Sequence, residues 1–320
     1  RREHHNFIAE VIKDEHGYKA VSNGYESIIL DEIYPLGTKL LIDGKTLEVK
    51  EVLGHKDDVG TKEKEVLAEY NFPISFNEEY LKEVNSIEKS LSEEVIDMDK
   101  RNGLKDQRSI TSVTIDGDDT KDIDDAISVK KDGNNYILGV HIADVSNYAK
   151  VGTALYDSAF SRGTSSYLAD TVIPMLPHQL SNGICSLNPE VVRLTISCVM
   201  TINDAGKVID YDIFPSYIKS RKQMTYKNVN KILDENKVPK GYEEFVDTLK
   251  TMHELAKILR KEKINRGYID FGIDEAKVIQ DKKGRAIDIV KRVQGTGEKL
   301  IEDFMIAANE TVATHISNMD

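Results

Sequence analysis

Residues 114 to 126 read Thr-Ile-Asp-Gly-Asp-Asp-Thr-Lys-Asp-Ile-Asp-Asp-Ala. Six carboxylates fall within ten of these residues: Asp116, Asp118, Asp119, Asp122, Asp124 and Asp125. Lys121 is the one cation among them. Acids packed this densely repel one another, and each makes ionising the next more costly until counter-charge arrives. Oxygen-only donors on a firm support suit hard divalent cations, Mg²⁺ above all. An ordinary run of Asp is more often a solvated loop. Here Ile123 interrupts the run and Gly117 breaks its start, and a solvated loop needs neither. A calcium loop of the EF-hand type fails on two counts. With Asp116 as its first position, Lys121 falls where the turn glycine belongs and Ile127 where the bidentate glutamate belongs.

The flanks say what holds the acids. Ile110, Val113 and Ile115 precede them, and Ala126, Ile127 and Val129 follow. Such residues favour strands, so the acids belong at a strand end or in a loop held by a sheet. Asp132-Gly133 predicts a hairpin between strands at 127–129 and 136–142. Asn203-Asp204-Ala205-Gly206 predicts another between 194–201 and 208–214. Helices are expected at 153–162, 226–233, 243–265 and 298–317, giving one α/β unit over 108–320.

Upstream, short β-rich runs at 7–12, 18–21, 27–30, 38–42 and 47–52 alternate with turn signals such as Asn23-Gly24 and Asp43-Gly44. Five short strands of this kind suggest a small OB-type barrel over 1–58. Aromatic residues in it are sparse: Phe7, Tyr18, Tyr25 and Tyr34. A spacer barrel and an RNA-contacting one fit that composition equally. Residues 59–107 are charged and helix-prone, with Asn77 a plausible N-cap, and read as a connector. The fold class is therefore mixed α+β.

The chain has 320 residues, 40% hydrophobic and 31% charged, with a net charge of −12. That composition permits a packed core in a soluble, cytoplasmic protein, and no apolar run approaches the ~18 residues that span a bilayer. Cys185 and Cys198 cannot form a zinc knuckle and read as reduced, buried thiols. The negative charge is awkward for a nucleic-acid enzyme, because phosphate neutralisation needs Lys and Arg. Local basic stretches exist at Lys219, Arg221 and Lys222, at Lys257 to Arg266, and at Lys291 and Arg292. Each is more often a solvated face than an RNA contact.

Other phrases carry weaker signals. In His141-Ile-Ala-Asp144, Ile142 and Val145 look buried, and Asp144 reads as a cap for the helix near Thr153 or as a partner behind the acids. Tyr167 ends a Gly- and Ser-rich loop and could present a face to a base, although a lone Tyr is more often packing. Glu302 lies beside an apolar stripe of Ile301, Met305, Ala308 and Val312 and is equally well a boundary residue.

The acid cluster closely resembles the signature of the RNase R/ribonuclease II family of 3′-to-5′ exoribonucleases. Asp116, Asp122, Asp124 and Asp125 stand at the family's offsets of zero, six, eight and nine. The phrases Ile-Asp-Gly, Asp-Asp-Ala, His-Ile-Ala-Asp, Leu53-Gly-His-Lys-Asp-Asp58 and Leu180-Ser-Asn-Gly-Ile-Cys-Ser-Leu-Asn-Pro189 match it too. The resemblance implies a cold-shock-like domain ahead of a catalytic RNB domain. It implies that the four aspartates hold Mg²⁺ at the scissile phosphodiester, with Asp118 and Asp119 as spectators. It places Tyr167 and Phe271 on either side of the 3′-terminal base, Tyr226 near the reacting centre and Glu302 on the terminal ribose. The Leu180–Pro189 stretch would shape the channel wall. Two ions about 3.5–4 Å apart could then serve both ends of an in-line displacement. The partner would be single-stranded RNA, degraded to nucleoside 5′-monophosphates by a monomer that engages no membrane.

One departure is large. The sequence stops at Asp320, inside the RNB domain as the family has it, and starts at what resembles the second cold-shock domain. The expected arginine-bearing segment and S1 domain do not follow, so a partial chain is expected. Two other functions stay open: a non-catalytic RNA-binding module or inactive fragment, and a metal-dependent phosphohydrolase of small nucleotides. The latter would not need Tyr167 or Phe271. No P-loop, dinucleotide fingerprint or Gly-x-Ser-x-Gly elbow supports a kinase, dehydrogenase or serine hydrolase.

Overall fold

The computed structural model describes residues 5–15, 17–30, 32–70, 72, 76, 78–87, 93–168, 172–269, 275–282 and 284–319. The chain divides into two compact units. One comprises 1–76, 165–173 and 276–291, and the other 77–164, 174–275 and 292–320.

The first unit opens with strands β1 (Phe7–Asp14), β2 (Gly17–Val21), β3 (Ile28–Ile29), β4 (Thr38–Ile42) and β5 (Val49–His55). They pair antiparallel in the order β3-β2-β1-β4-β5. The period-2 pattern of β1 explains its place at the centre: Phe7, Ala9 and Val11 point into a small core with Ala20, Leu40 and Ile42. Phe7 and Tyr25 stack with ring centroids 3.8 Å apart. Helix α1 (Thr61–Glu69) follows, and its Glu65 pairs with Lys39 of β4.

The described part of the stretch expected as a connector carries helices that each bury at least one apolar residue. Helix α2 (Glu78–Ser86) buries Tyr80 and Val84. Helix α3 (Glu93–Arg101) buries Ile96, which clusters with Leu194 and Tyr217. Asn77, the expected cap of α2, lies outside the described residues.

The second unit is built on a seven-stranded sheet. Its first strands are β6 (Lys105–Asp106), β7 (Val113–Asp116), β8 (Asp125–Asp132) and β9 (Asn135–Ala143). A 3₁₀ turn (Val145–Asn147) and helix α4 (Ala154–Arg162) come next. The hairpin of β10 (Ser166–Tyr167) and β11 (Val172–Ile173) belongs to the first unit. After a π-helical turn (Gln179–Ile184) come β12 (Val192–Ile202), β13 (Val208–Lys219) and β14 (Lys222–Thr225). Helices α5 (Tyr226–Glu235) and α6 (Val246–Asn265) follow, then β15 (Glu275–Gln280) and β16 (Ala286–Arg292), whose residues 276–291 belong to the first unit, and last α7 (Thr296–Ser317) in the second.

The sheet order is β14-β7-β8-β9-β12-β13-β6, with the outer pairs β14/β7 and β13/β6 parallel and the rest antiparallel. Both expected hairpins form, and the first turns at Gly133-Asn134, where Gly133 takes φ 57°. One face of the sheet packs Ile127, Leu138, Val140 and Met200 against Leu249 and Met252 of α6 and Phe304 of α7. Cys185 and Cys198 are free and buried.

Two local expectations are corrected. Ile142 is 41% exposed. Alternation along β9 turns His141 inward, and the apolar cover over Leu138 and Val140 stops short of Ile142. Asp144 caps the 3₁₀ turn, accepting from Asn147 N–H at 3.2 Å, while Thr153 caps α4 itself by accepting from Tyr156 N–H.

Candidate active site

The acids sit where the sheet opens. Val113↔Ile127 is the one registered pair between β7 and β8, so residues 117–124 leave the ladder as a loop. Asp116 ends β7 and Asp125 begins β8. Alternation and hydrophobic flanks therefore deliver two carboxylates to the same end of neighbouring strands, with Asp122 and Asp124 between them.

The electrostatics are those of a crowded acid group. Burial first, and then Asp125, Asp124 and Asp122, push the Asp116 carboxyl up to about 7. The Thr114 hydroxyl pulls the other way without meeting Oδ2 in a well-formed hydrogen bond, and that oxygen is buried with no hydrogen-bond partner. Burial and then Asp124 push Asp125 up to about 6. Asp124 presents its side chain to solvent, yet the surrounding protein first and Asp122 second raise its pKa as well. Asp118 and Asp119 are exposed.

Ile123, the residue that interrupted the acid run, is fully buried and anchors the loop. It clusters with Ala126, Ala143, Leu187 and Ile218. Its N–H donates to Ser186 Oγ at 3.1 Å, and its carbonyl accepts from Leu187 N–H at 2.9 Å. Ser186 Oγ donates in turn to the Lys121 carbonyl at 2.8 Å, and Ala143 N–H donates to the Asp124 carbonyl at 2.9 Å. On the other side, Gln223 Nε2 donates to the Thr120 carbonyl at 3.1 Å. Sequence reasoning names Ser186 only within the Leu180–Pro189 stretch, without this role, and does not name Gln223. They lie far along the chain, and their types carry no chemical signal.

Beneath the sheet runs a buried polar row. His141 Nδ1 meets Ser197 Oγ at 2.6 Å and its Nε2 meets Ser128 Oγ at 3.1 Å, with Ser216 and Thr195 continuing the chain. Burial pushes the His141 imidazole down to about 4, so it is neutral.

Of the other expected site residues, Tyr226 is placed next to the acids by a strand pairing. The β14/β7 ladder pairs Thr225 with Asp116, and Tyr226 is the next residue, opening α5. The first turn of α7 approaches it so closely that a Cβ on Gly297 would lie 3.1 Å from Asn230 Oδ1 and 3.5 Å from Tyr226 Cδ1. Glu302 lies on α7, where its Oε1 is 3.4 Å from both Arg260 Nη2 and Lys263 Nζ. Asp303 beside it is buried against the same cations. Three cations of this basic stretch are thus occupied with acids: Arg260 and Lys263 with Glu302 and Asp303, and Arg266, just past α6, with Glu262 and Glu310. Tyr167 is exposed on β10 and belongs to the first unit. Phe271 lies outside the described residues.

The donor set fits a hard divalent cation by its chemistry: all oxygen, mutually repelling, with a buried carboxylate oxygen that nothing satisfies. Among the described residues no three His, Cys, Asp or Glu side chains converge as a ready-made ligand cage. The fold groups the acids at one end of neighbouring strands without closing them into such a cage.

Known proteins share this chain's sequence pattern and fold. Residues 104–320 match the RNB domain. Ribonuclease R of Thermotoga maritima is 50% identical over 276 residues, covering 84% of this chain and 38% of that protein. Ribonuclease R 2 of Lactococcus lactis is 46% identical over 288 residues, covering 88% of this chain and 42% of that one. The chain thus spans less than half the length of these relatives. Mycoplasma genitalium RNase R, solved with double-stranded RNA, superposes with a TM-score of 0.90 at 28% identity over 99% of this chain and 58% of its own. The match to the RNB domain takes in β7, β8 and the acid loop between them, and it extends over well more than half of the residues, so this chain belongs to the RNB domain family.

Proposed function

We propose that the acid loop is the hydrolytic centre of a 3′-to-5′ exoribonuclease that takes single-stranded RNA and releases nucleoside 5′-monophosphates. The observation that carries this is the Asp116–Asp125 group, with its raised pKa values and the unsatisfied Asp116 Oδ2. Solvated acids show neither property. The first five strands would form the OB-type, cold-shock-like domain over 1–58, with 108–320 as the part of the RNB domain present.

Asp116 and Asp125 are the principal candidates to hold Mg²⁺, with Asp122 acting directly or through water. When bound, the cation supplies Lewis acidity and charge neutralisation at the phosphodiester. Asp124 is the most solvent-facing of the three raised acids. It suits the task of orienting the attacking water and the 3′-end, with a carboxylate oxygen accepting the water's proton in a hydrogen bond. Tyr226, one residue beyond the partner of Asp116, would line the same centre. Tyr167 and Phe271 are proposed to sandwich the terminal base. Glu302 is proposed to recognise the terminal ribose, which requires its carboxylate to accept a ribose hydroxyl beside, or in place of, Arg260 and Lys263. The protein is proposed to act as a cytoplasmic monomer.

The test uses 5′-labelled single-stranded RNA with Mg²⁺, and Asp124→Asn as the control. Progressive shortening from the 3′-end is expected. In the variant, turnover should fall at least about 100-fold with RNA affinity near normal. Equal losses of binding and turnover would refute the assignment of Asp124. RNA bound without shortening would favour a binding module or an incomplete enzyme. Cleavage of mononucleotides or dinucleotides alone would favour the small-nucleotide phosphohydrolase.

A further inference from the structure

We propose that Ser186 and Arg193 are positioning residues that set the directions of Asp122 and Asp124 by clamping the backbone between them. This rests on reading 116–125 as the hydrolytic centre.

Residues 117–124 have left the β7/β8 ladder, so their backbone groups need partners elsewhere. For Lys121 and Ile123 the partners come from one distant segment, residues 186 and 187. Ser186 Oγ is both acceptor and donor, taking the Ile123 N–H at 3.1 Å and giving its proton to the Lys121 carbonyl at 2.8 Å. Leu187 N–H donates to the Ile123 carbonyl at 2.9 Å. Ile123 is therefore held at both its N–H and its C=O, with its side chain buried beneath. Asp122 and Asp124 are its immediate neighbours, so fixing the Ile123 peptides fixes both Cα–Cβ directions.

Arg193 holds the holder. Its guanidinium is buried and donates from Nε to the Ser186 carbonyl at 2.8 Å, from Nη2 to the Gly183 carbonyl at 3.0 Å and from Nη1 to the Val192 carbonyl at 3.3 Å. Among the described residues these hydrogen bonds go to carbonyls and to no carboxylate. A buried cation without an acid is costly, and only a planar fork reaches three carbonyls at once. The arrangement is that of an outer layer orienting the groups that act, where loss of one member typically weakens cation affinity about 10–100-fold.

The decisive variant is Ser186→Ala, in which the loss of one hydroxyl leaves little cavity. Three readings are made against the wild-type chain: Mn²⁺ affinity without RNA, from the paramagnetic resonance of free Mn²⁺; hydrogen exchange at the Ile123 amide; and kcat and KM on 5′-labelled RNA. The expected result is Mn²⁺ binding about tenfold weaker or more. Ile123 exchange should quicken while the β9 and β12 amides stay protected. Turnover should fall at unchanged KM. A folded Ser186→Ala chain with wild-type Mn²⁺ affinity and wild-type Ile123 exchange would overturn the positioning role and leave the hydrolytic reading intact. A wild-type chain that binds no Mn²⁺ and shortens no RNA would remove the hydrolytic reading and this inference with it. Should the wild type bind Mn²⁺ without cleaving, the affinity and exchange comparisons decide alone. Should Ser186→Ala fail to fold, Arg193→Lys keeps the hydroxyl, loosens its carbonyl and is judged by the same readings.

Discussion

At the scale of the residue, the acid group is paid for in stability, and pH exposes it. The Asp116 carboxyl at about 7 and the Asp125 carboxyl at about 6 both lie above the ordinary carboxylate value. The folded chain therefore binds protons more tightly than the unfolded one. Without a divalent cation, these groups lower stability as pH rises from about 4 through about 7. His141, held down to about 4, runs in the opposite direction below about 6.5, so the comparison must be made between variants at one pH. In EDTA, Asp116→Asn should melt above the wild type at pH 8, and the gap should shrink at pH 5. Adding Mg²⁺ should raise the wild-type melting temperature and leave the variant nearly unmoved. A gap of the same size at both pH values would show that charge at Asp116 is not the source of the strain.

At the scale of the element, the helices before the sheet belong to the structure that carries the acids. α3 is short and strongly charged, which by itself describes a solvated segment. Its one fully buried apolar residue, Ile96, enters a cluster with Leu194 of β12 and Tyr217 of β13, and Tyr217 OH donates to Asp99 on the same helix. α2 likewise offers Glu83 Oε2 to the Leu155 N–H at the start of α4, at 2.8 Å. Ile96→Ala should therefore cost about 2–4 kcal/mol by loss of transfer energy and creation of a cavity. The check is the urea midpoint of the second unit, followed by near-ultraviolet signals. A change under about 0.5 kcal/mol would mean that α3 is a mere connector.

At the scale of the whole molecule, the two units have separate apolar cores. Phe7, Val11, Leu40 and Ile42 make one, while Ile127, Leu138, Met200 and Phe304 belong to the other. Calorimetry should resolve two transitions. Leu40→Ala should lower one of them by about 8 °C or more and leave the other in place. A single transition that moves as a whole would show that the cores unfold as one. The net charge of −12 belongs to this scale too. Arg260 and Lys263 of α6 pair with acids of α7, and Arg266 just past α6 pairs with Glu262 and Glu310, so these three cations do not offset that charge.

Much of this was legible in the sequence because its signals are local. Alternation gave β1, β8, β9 and β12, turn residues gave the two hairpins, and helical periodicity gave α4 to α7 within a few residues of their ends. The acids were legible for the same reason: their spacing is itself the signal, and apolar flanks marked the strands that carry them. Ile142 misled because a strand pattern names two faces without saying how far cover extends over each. Asp144 misled because a nearer 3₁₀ turn took its oxygen. What tertiary structure alone decided is how charge and backbone are settled across long separations. Ser186 closes on Ile123 from 63 positions away, and Thr225 lies down beside Asp116. A hydroxyl or a carbonyl carries no pattern that names its partner, so such pairings appear only when the sheet brings the two segments together.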